Sequence, residues 1–177
     1  MKKTLLLFVT ACLISVNSRA EDFRTSGYMG FGEETVFTDF DDKWYGGVNT
    51  THGYQINQRF FVGGGAGVFI RYKKSNRDNN KVGVPIYADF RYTMLKSKVT
   101  PFFEAKIGYC VADIDGFYAS PTVGVDIAFT EKFGLYVALA YDYIGVGKDE
   151  KHYSGYYTYY SKSRDLHAMA LRVGVHF

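Results

Sequence analysis

Two cysteines and three prolines are all that 177 residues contain of either type. Cys12 lies in the first twenty residues, so a chain trimmed there keeps Cys110 alone. One thiol makes no internal disulfide, and a zinc site needs several ligands close by. No His, Cys and carboxylate cluster has metal spacing, and no glycine loop cradles a phosphate, so no cofactor is expected. Beyond the first twenty residues the chain lacks any apolar run of about 18 residues, which excludes helical membrane spans. It also lacks net charge. Three of its 21 basic residues, Lys2, Lys3 and Arg19, fall in that first stretch, which has no acids. The remaining 18 bases meet 18 acids. A nucleic-acid partner therefore loses its main support.

What the chain has in abundance is aromatic: 16 Tyr and 15 Phe. Such a composition is foreign to disordered chains and common in strands. Residues 1–20 read as an export signal. Lys2 and Lys3 form the charged start, Thr4 to Val16 the apolar stretch, and Ser18-Arg19-Ala20 a small-x-small cleavage site. A competing reading takes Val9-Thr10-Ala11-Cys12 as a lipobox with a lipidated Cys12, although Leu13 to Val16 carry the apolar run onward. Residues 21–177 then form one domain.

From Arg24 onward the pattern has period two, not helical spacing. Between Val82 and Met94, Val84, Ile86, Ala88, Phe90 and Tyr92 share one face; Tyr87, Asp89, Arg91 and Thr93 share the other. A strand turns successive side chains to opposite sides, so one face is oily and the other charged. The same holds for Phe103 to Val111, Val123 to Phe129, Leu135 to Tyr143 and Met169 to Phe177. Arg59 to Tyr72 and Trp44 to Ile56 alternate less cleanly, with His52 on the oily side. The first segment, Arg24 to Glu34, is weakest because Gly27, Gly30 and Gly32 dilute both faces. Eight strands result. Short connections at Asn57-Gln58, Lys96 to Thr100 and Thr130 to Lys132 alternate with longer polar ones at Thr35 to Lys43, Lys73 to Asn80 and Lys148 to Ser161. The short link at Asp113 to Tyr118 breaks that rhythm.

A soluble sandwich or barrel would bury the oily face, and alternation alone does not reject it. Three features favour the inverse, an all-β, eight-stranded antiparallel up-and-down transmembrane barrel. The polar face mixes Gly and Ala with charges of both signs: Glu34, Asp89, Glu104, Asp126 and Asp142 against Arg71, Arg91, Lys106 and Arg172. Oily-face aromatics gather at strand ends, with Tyr54, Phe60, Tyr92, Phe103, Phe129, Phe133 and Phe177 by the short turns. Trp44, Tyr72, Tyr141 and Tyr143 lie toward the longer loops. Two aromatic girdles, an even strand count and an export signal suit a bacterial outer-membrane barrel.

The closing alternation from His167 to Phe177, and Gly53-Tyr54-Gln55-Ile56 running into Phe60-Phe61-Val62-Gly63, resemble the small OmpA- and OmpX-type barrels, often labelled porin-like. The resemblance covers residues 21–177 and rests on generic motifs. It implies the barrel fold and an outer-membrane location; contact with lipid and lipopolysaccharide and a monomer are expected, and the turn and loop lengths put both termini in the periplasm. It implies no particular ligand and no appended peptidoglycan-binding module. Met169, Leu171, Val173, Val175 and Phe177 look like the signal read by the barrel-insertion machinery.

Eight strands enclose a lumen that side chains largely fill. The interior charges are therefore expected as a locked, paired network, with narrow permeation of small solutes as the alternative. Some barrels of this size act on lipid A by deacylation or palmitoyl transfer, and a deacylase of that kind uses a His-x-Ser pair in the wall. Here His152-Tyr153-Ser154, near Glu150 and Asp165, falls in a long loop, so a non-enzyme is expected. In the same loop Tyr153, Tyr156, Tyr157, Tyr159 and Tyr160 crowd beside Lys148, Lys151, Lys162 and Arg164. Tyrosine offers contact area at low ordering cost, which suits an extracellular surface partner; packing of the tyrosines on one another is the other reading.

Overall fold

The computed structural model describes residues 26–39, 44–72, 81–146, 150–154, 157–161 and 165–177. The expected leader with Cys12, and Tyr156, lie outside them. The described residues form ten strands: β1 (Gly27–Asp39), β2 (Trp44–Gln55), β3 (Phe60–Tyr72), β4 (Val82–Thr93), β5 (Val99–Ala112), β6 (Gly116–Ala128), β7 (Gly134–Val146), β8 (Glu150–Ser154), β9 (Tyr157–Ser161) and β10 (Leu166–His176). Eight of them close a barrel in the order β1-β10-β7-β6-β5-β4-β3-β2, every neighbour antiparallel. The remaining two, β8 and β9, pair as a separate hairpin between β7 and β10. No helix among the described residues is long and apolar enough to cross a membrane.

Period two becomes a wall with an oily outside. Ile86, Phe90, Ile107, Val123, Val137, Leu139 and Leu171 all face outward and are exposed. Their chain neighbours Tyr87, Asp89, Arg91, Lys106, Thr122, Tyr136, Ala138 and Arg172 are buried inside. The exposed aromatics sort by level. Tyr28, Tyr54, Phe60, Phe103, Phe129, Phe133 and Phe177 ring the end with tight turns, while Trp44, Tyr109 and Phe117 ring the other. The tight turns are closed by side chains. Asn57 Oδ1 accepts from the Arg59 and Phe60 amides, and Thr130 Oγ1 from those of Lys132 and Phe133.

Two strands run further than the sequence pattern suggests. The stretch expected as a polar loop from Thr35 continues β1 as far as Asp39, paired with β2 to Thr38 and with β10 to the end. The reason is Phe37, which points inward and stacks on Tyr45 at 4.5 Å with the rings 6° from parallel. Likewise β6 starts at Gly116, inside the link expected at Asp113 to Tyr118, and leaves only Asp113 to Asp115 between it and β5. Tightness at that link shows in Ala112, whose φ of 87° lies in the left-handed region that costs a non-glycine residue about 1–2 kcal/mol.

Phe177 extends the seam that closes the barrel between β1 and β10. The Phe177 amide donates to the Gly30 carbonyl at 2.9 Å, and the Gly30 amide donates back at 2.7 Å. The Phe177 ring lies over Gly30, where a Cβ would stand 2.7 Å from Cε2. His52, anomalous on an oily face, belongs to this seam. Its Nδ1 meets the Tyr28 hydroxyl at 2.7 Å and its Nε2 the Thr50 hydroxyl at 3.0 Å, so neither ring nitrogen is left bare on the outer wall. Deleting Phe177 removes two backbone hydrogen bonds as well as the ring, whereas Phe177→Ala removes only the ring. Refolding of the purified chain into lipid vesicles, read as the heat-modifiable fraction on gels, should fall further for the deletion than for the alanine variant.

Candidate functional site

Two aromatic clusters divide the lumen. Met29, Phe31, Phe61, Phe102 and Tyr136 fill the tight-turn end. Phe37, Tyr45, Phe69, Tyr87, Tyr118 and Ile144 fill the loop end. Along β1, Glu33 and Thr35 lie between Phe31 and Phe37; along β5, Glu104 and Lys106 lie between Phe102 and Cys110. The facing stretch of β3 supplies Gly63, Gly65 and Gly67 instead. Tyr87 and Thr51 occupy the space at Gly65, Asn49 that at Gly67, and Phe61 of β3 itself that at Gly63. A charged layer thus sits between two oily ones.

Every long basic side chain in that layer reaches across strands. Lys106 donates to Glu33, and it stands 4.0 Å from Glu104. Glu33 also accepts from the Tyr136 hydroxyl at 2.8 Å and the Asn49 amide at 2.9 Å, and lies 3.8 Å from Arg172. Arg172 donates to Asp142 at 2.6 Å, Ser120 at 2.8 Å, Tyr118 at 3.1 Å and Thr122 at 3.3 Å. Arg91 donates to Glu104 at 2.9 Å, and its guanidinium lies 4.0 Å, 4.3 Å and 4.5 Å from the ring centres of Phe31, Phe102 and Tyr136. Planar and delocalised, guanidinium tolerates such a box better than an ammonium would. Asp126 lies 3.9 Å from Arg91 and 3.3 Å from His176 Nδ1. A cavity of about 10 Å³ under Phe37, Phe69 and Arg172 has room for about one water.

The residues expected in the lumen divide accordingly. Asp89, Arg91, Glu104, Lys106, Asp126, Asp142 and Arg172 are buried there. Arg71 faces inward at the loop end of β3, half-buried, and no ion pair joins it to the network among the described residues. Glu34 does not belong. It points outward from β1, exposed, and its neighbour Glu33 occupies the lumen. Adjacent acids are told apart only by the pleat, and the pleat is fixed by Phe31 and Phe37 turning inward. Glu34 finds no partner among the described residues and borders an outer groove with Val36, Gly46 and Val48. The expected charge network also left out Tyr118, Tyr136, Asn49 and His176. The three on β2, β6 and β7 show only as polar tips on an inward face, and His176 as the partner of Phe177 across the pleat.

Met169, Leu171, Val173 and Phe177 face outward and exposed, with Val175 beside them half-buried. The backbone of β8 and β9 carries Tyr153, Tyr157, Tyr159 and Tyr160, together with His152 and Ser154. His152 and Ser154 therefore lie outside the barrel wall, on the hairpin. Among the described residues no group of three or more His, Cys, Asp or Glu is placed to hold a metal ion.

No protein-family model matches the chain, and no curated protein does. Among solved structures it is similar to Neisserial surface protein A, with a TM-score of 0.59 and 17% identity over 86% of this chain and 98% of that one. Another similar structure is the N-terminal β-barrel domain of Pseudomonas aeruginosa OprF, with a TM-score of 0.47 and 15% identity over 86% of this chain and 100% of that one. The first likeness is one of fold, a closed, eight-stranded antiparallel barrel.

The two adjacent acids give a direct test of the geometry. Glu33→Gln takes from Lys106 its hydrogen-bonded carboxylate, leaving it only Glu104 at 4.0 Å, and should cost about 3–5 kcal/mol. Glu34→Gln removes an unpaired outward charge and should leave stability unchanged or higher. Urea unfolding midpoints of the two variants in vesicles measure both.

Proposed function

We propose that the protein is a non-enzymatic integral outer-membrane barrel with a sealed lumen, whose role is structural or lies in surface contacts made by its loops. The observation that carries this reading is the stacking of a paired charge layer between two aromatic layers. An ion crossing it would have to pass the rings of Phe31, Phe61, Phe102 and Tyr136 at one end and of Phe37, Tyr45 and Phe69 at the other. It would also have to part ion pairs whose members are buried on every side. Oily outer residues between two aromatic girdles support the membrane setting. The Tyr-rich hairpin is the surface most suited to an extracellular partner, and the outward face of β10 to the insertion machinery.

Purified wild-type protein in planar bilayers should give little steady conductance. Stable ohmic channels that change ion preference in Arg91→Ala would overturn the sealed lumen and make the protein a narrow porin. An affinity tag inserted at Gly155 should be stained on intact cells; access only after the outer membrane is breached would reverse the orientation.

A further inference from the structure

One outward acid interrupts the oily wall. Glu34 is exposed on β1, and its register partners are Val48 of β2 and Val173 of β10, both exposed. One row nearer the loops, Gly46 stands between Val36 of β1 and Ile70 of β3. That row has no side chain at its centre. The gap is a groove of about 330 Å³ walled by Val36, Val48, Val68 and Ile70, with Glu34 at its edge. Trp44, 58% exposed, follows in the next row, opposite Thr38, and belongs to the aromatic girdle at the loop end. Glu34 is four residues from Thr38 along β1, which on a tilted strand puts it about 10 Å below that girdle. Its carboxyl thus lies in the hydrocarbon layer, in the half nearer the loops.

A carboxyl group at that depth needs a hydrogen-bond donor, and the wall around it offers none. No Lys or Arg faces outward from a barrel strand among the described residues. A second copy of this chain meeting the same face would bring another Glu34, not a cation. The donor must therefore come from the lipid. The groove has aliphatic walls that suit a hydrocarbon chain, and Glu34 is the one charged residue of its lining. A hydroxyl carried on such a chain enters the hydrocarbon layer at far smaller cost than an ammonium or guanidinium, and its O–H donates to a carboxyl oxygen. The 3-hydroxyacyl chains of lipid A have this chemistry, with a hydroxyl a few atoms below the headgroup and methylenes beyond it. We propose that the groove at Gly46 binds a 3-hydroxyacyl chain of lipid A. The first carbons of the chain are seated at Gly46, its hydroxyl donates to the Glu34 carboxyl, and its methylenes continue over Val48 and Val68. This site rests on the reading of a membrane barrel with its loops outward, because lipid A occupies the outer leaflet.

Trp44 is the only tryptophan of the chain, and so reports on the groove beside it. In bilayers of brominated phosphatidylcholine its fluorescence should be quenched, and a lipid that displaces the brominated chains restores it. A tetra-acylated lipid A with four 3-hydroxyacyl chains should restore it at about three- to tenfold lower mole fraction than the same lipid without the hydroxyls. That difference should vanish in Glu34→Leu, which keeps the wall oily, and in Gly46→Val, which fills the groove but keeps the carboxyl. Equal recovery with the two lipids in the wild type overturns the site, whether or not either variant folds. A hydroxyl preference that survives in Glu34→Leu overturns it as well. Recovery by phosphatidylethanolamine equal to that by the hydroxylated lipid would give the groove to an ammonium group instead. A Trp44 that brominated lipid fails to quench overturns the membrane setting on which the site rests, and the tag at Gly155 reports the orientation separately.

Discussion

Inside a closed sheet of eight strands there is no bulk water, so each charge placed there must be met by a side chain from another strand. That requirement shapes the interior. Glu33 on β1 meets Lys106 on β5, on the far side of the barrel and 73 residues away in sequence. Arg172 on β10 gathers Ser120 and Thr122 from β6 and Asp142 from β7. Backbone hydrogen bonds tie each strand only to its two neighbours. The charged layer ties strands that are not neighbours, and so fixes the cross-section as well as the circumference.

The oily layers obey a companion rule, in which rings lie where the wall has no Cβ. A Cβ at Gly124 would stand 2.7 Å from the Phe102 ring, and one at Gly174 would stand 2.5 Å from the Tyr136 ring. Tyr136 in turn donates to Glu33, so the glycine at 174 has its effect on the charged layer through an intervening ring. Small residues on the polar face make room for aromatic rings as much as for the long charged side chains. Arg91 joins the two kinds of layer, since its planar cation lies among three rings while its Nη2 holds Glu104.

How much of this could be read from the sequence differs from strand to strand. Val82 to Met94 and Met169 to Phe177 alternate without interruption, and their faces follow from the pleat. β1 resisted, because glycines occupy its outward positions at 30 and 32 and two acids stand side by side at its centre. A local pattern cannot say which of them turns inward; the neighbours Phe31 and Phe37 decide it, through rings on β2 and β3. Pairing within the lumen was less legible still. Register places Lys106 opposite Asp89, yet a long flexible ammonium is not bound to its register partner and crosses to whichever carboxylate gives the better set of contacts. The outward His52 shows the converse: an apparent blemish in the pattern becomes ordinary once Tyr28 and Thr50 are brought beside it.

The division between wall and lumen also bears on how such a chain can change over generations. An outward residue of β4 to β7 must be oily and little else, so Val, Ile, Leu and Phe can replace one another there almost freely. Arg172 has four hydrogen-bonding neighbours drawn from two other strands, and none of them can be altered without leaving a polar group bare. Lineages descending from this sequence should therefore drift quickly on the outside, while the lumen moves seldom and in concerted exchanges of several residues at a time.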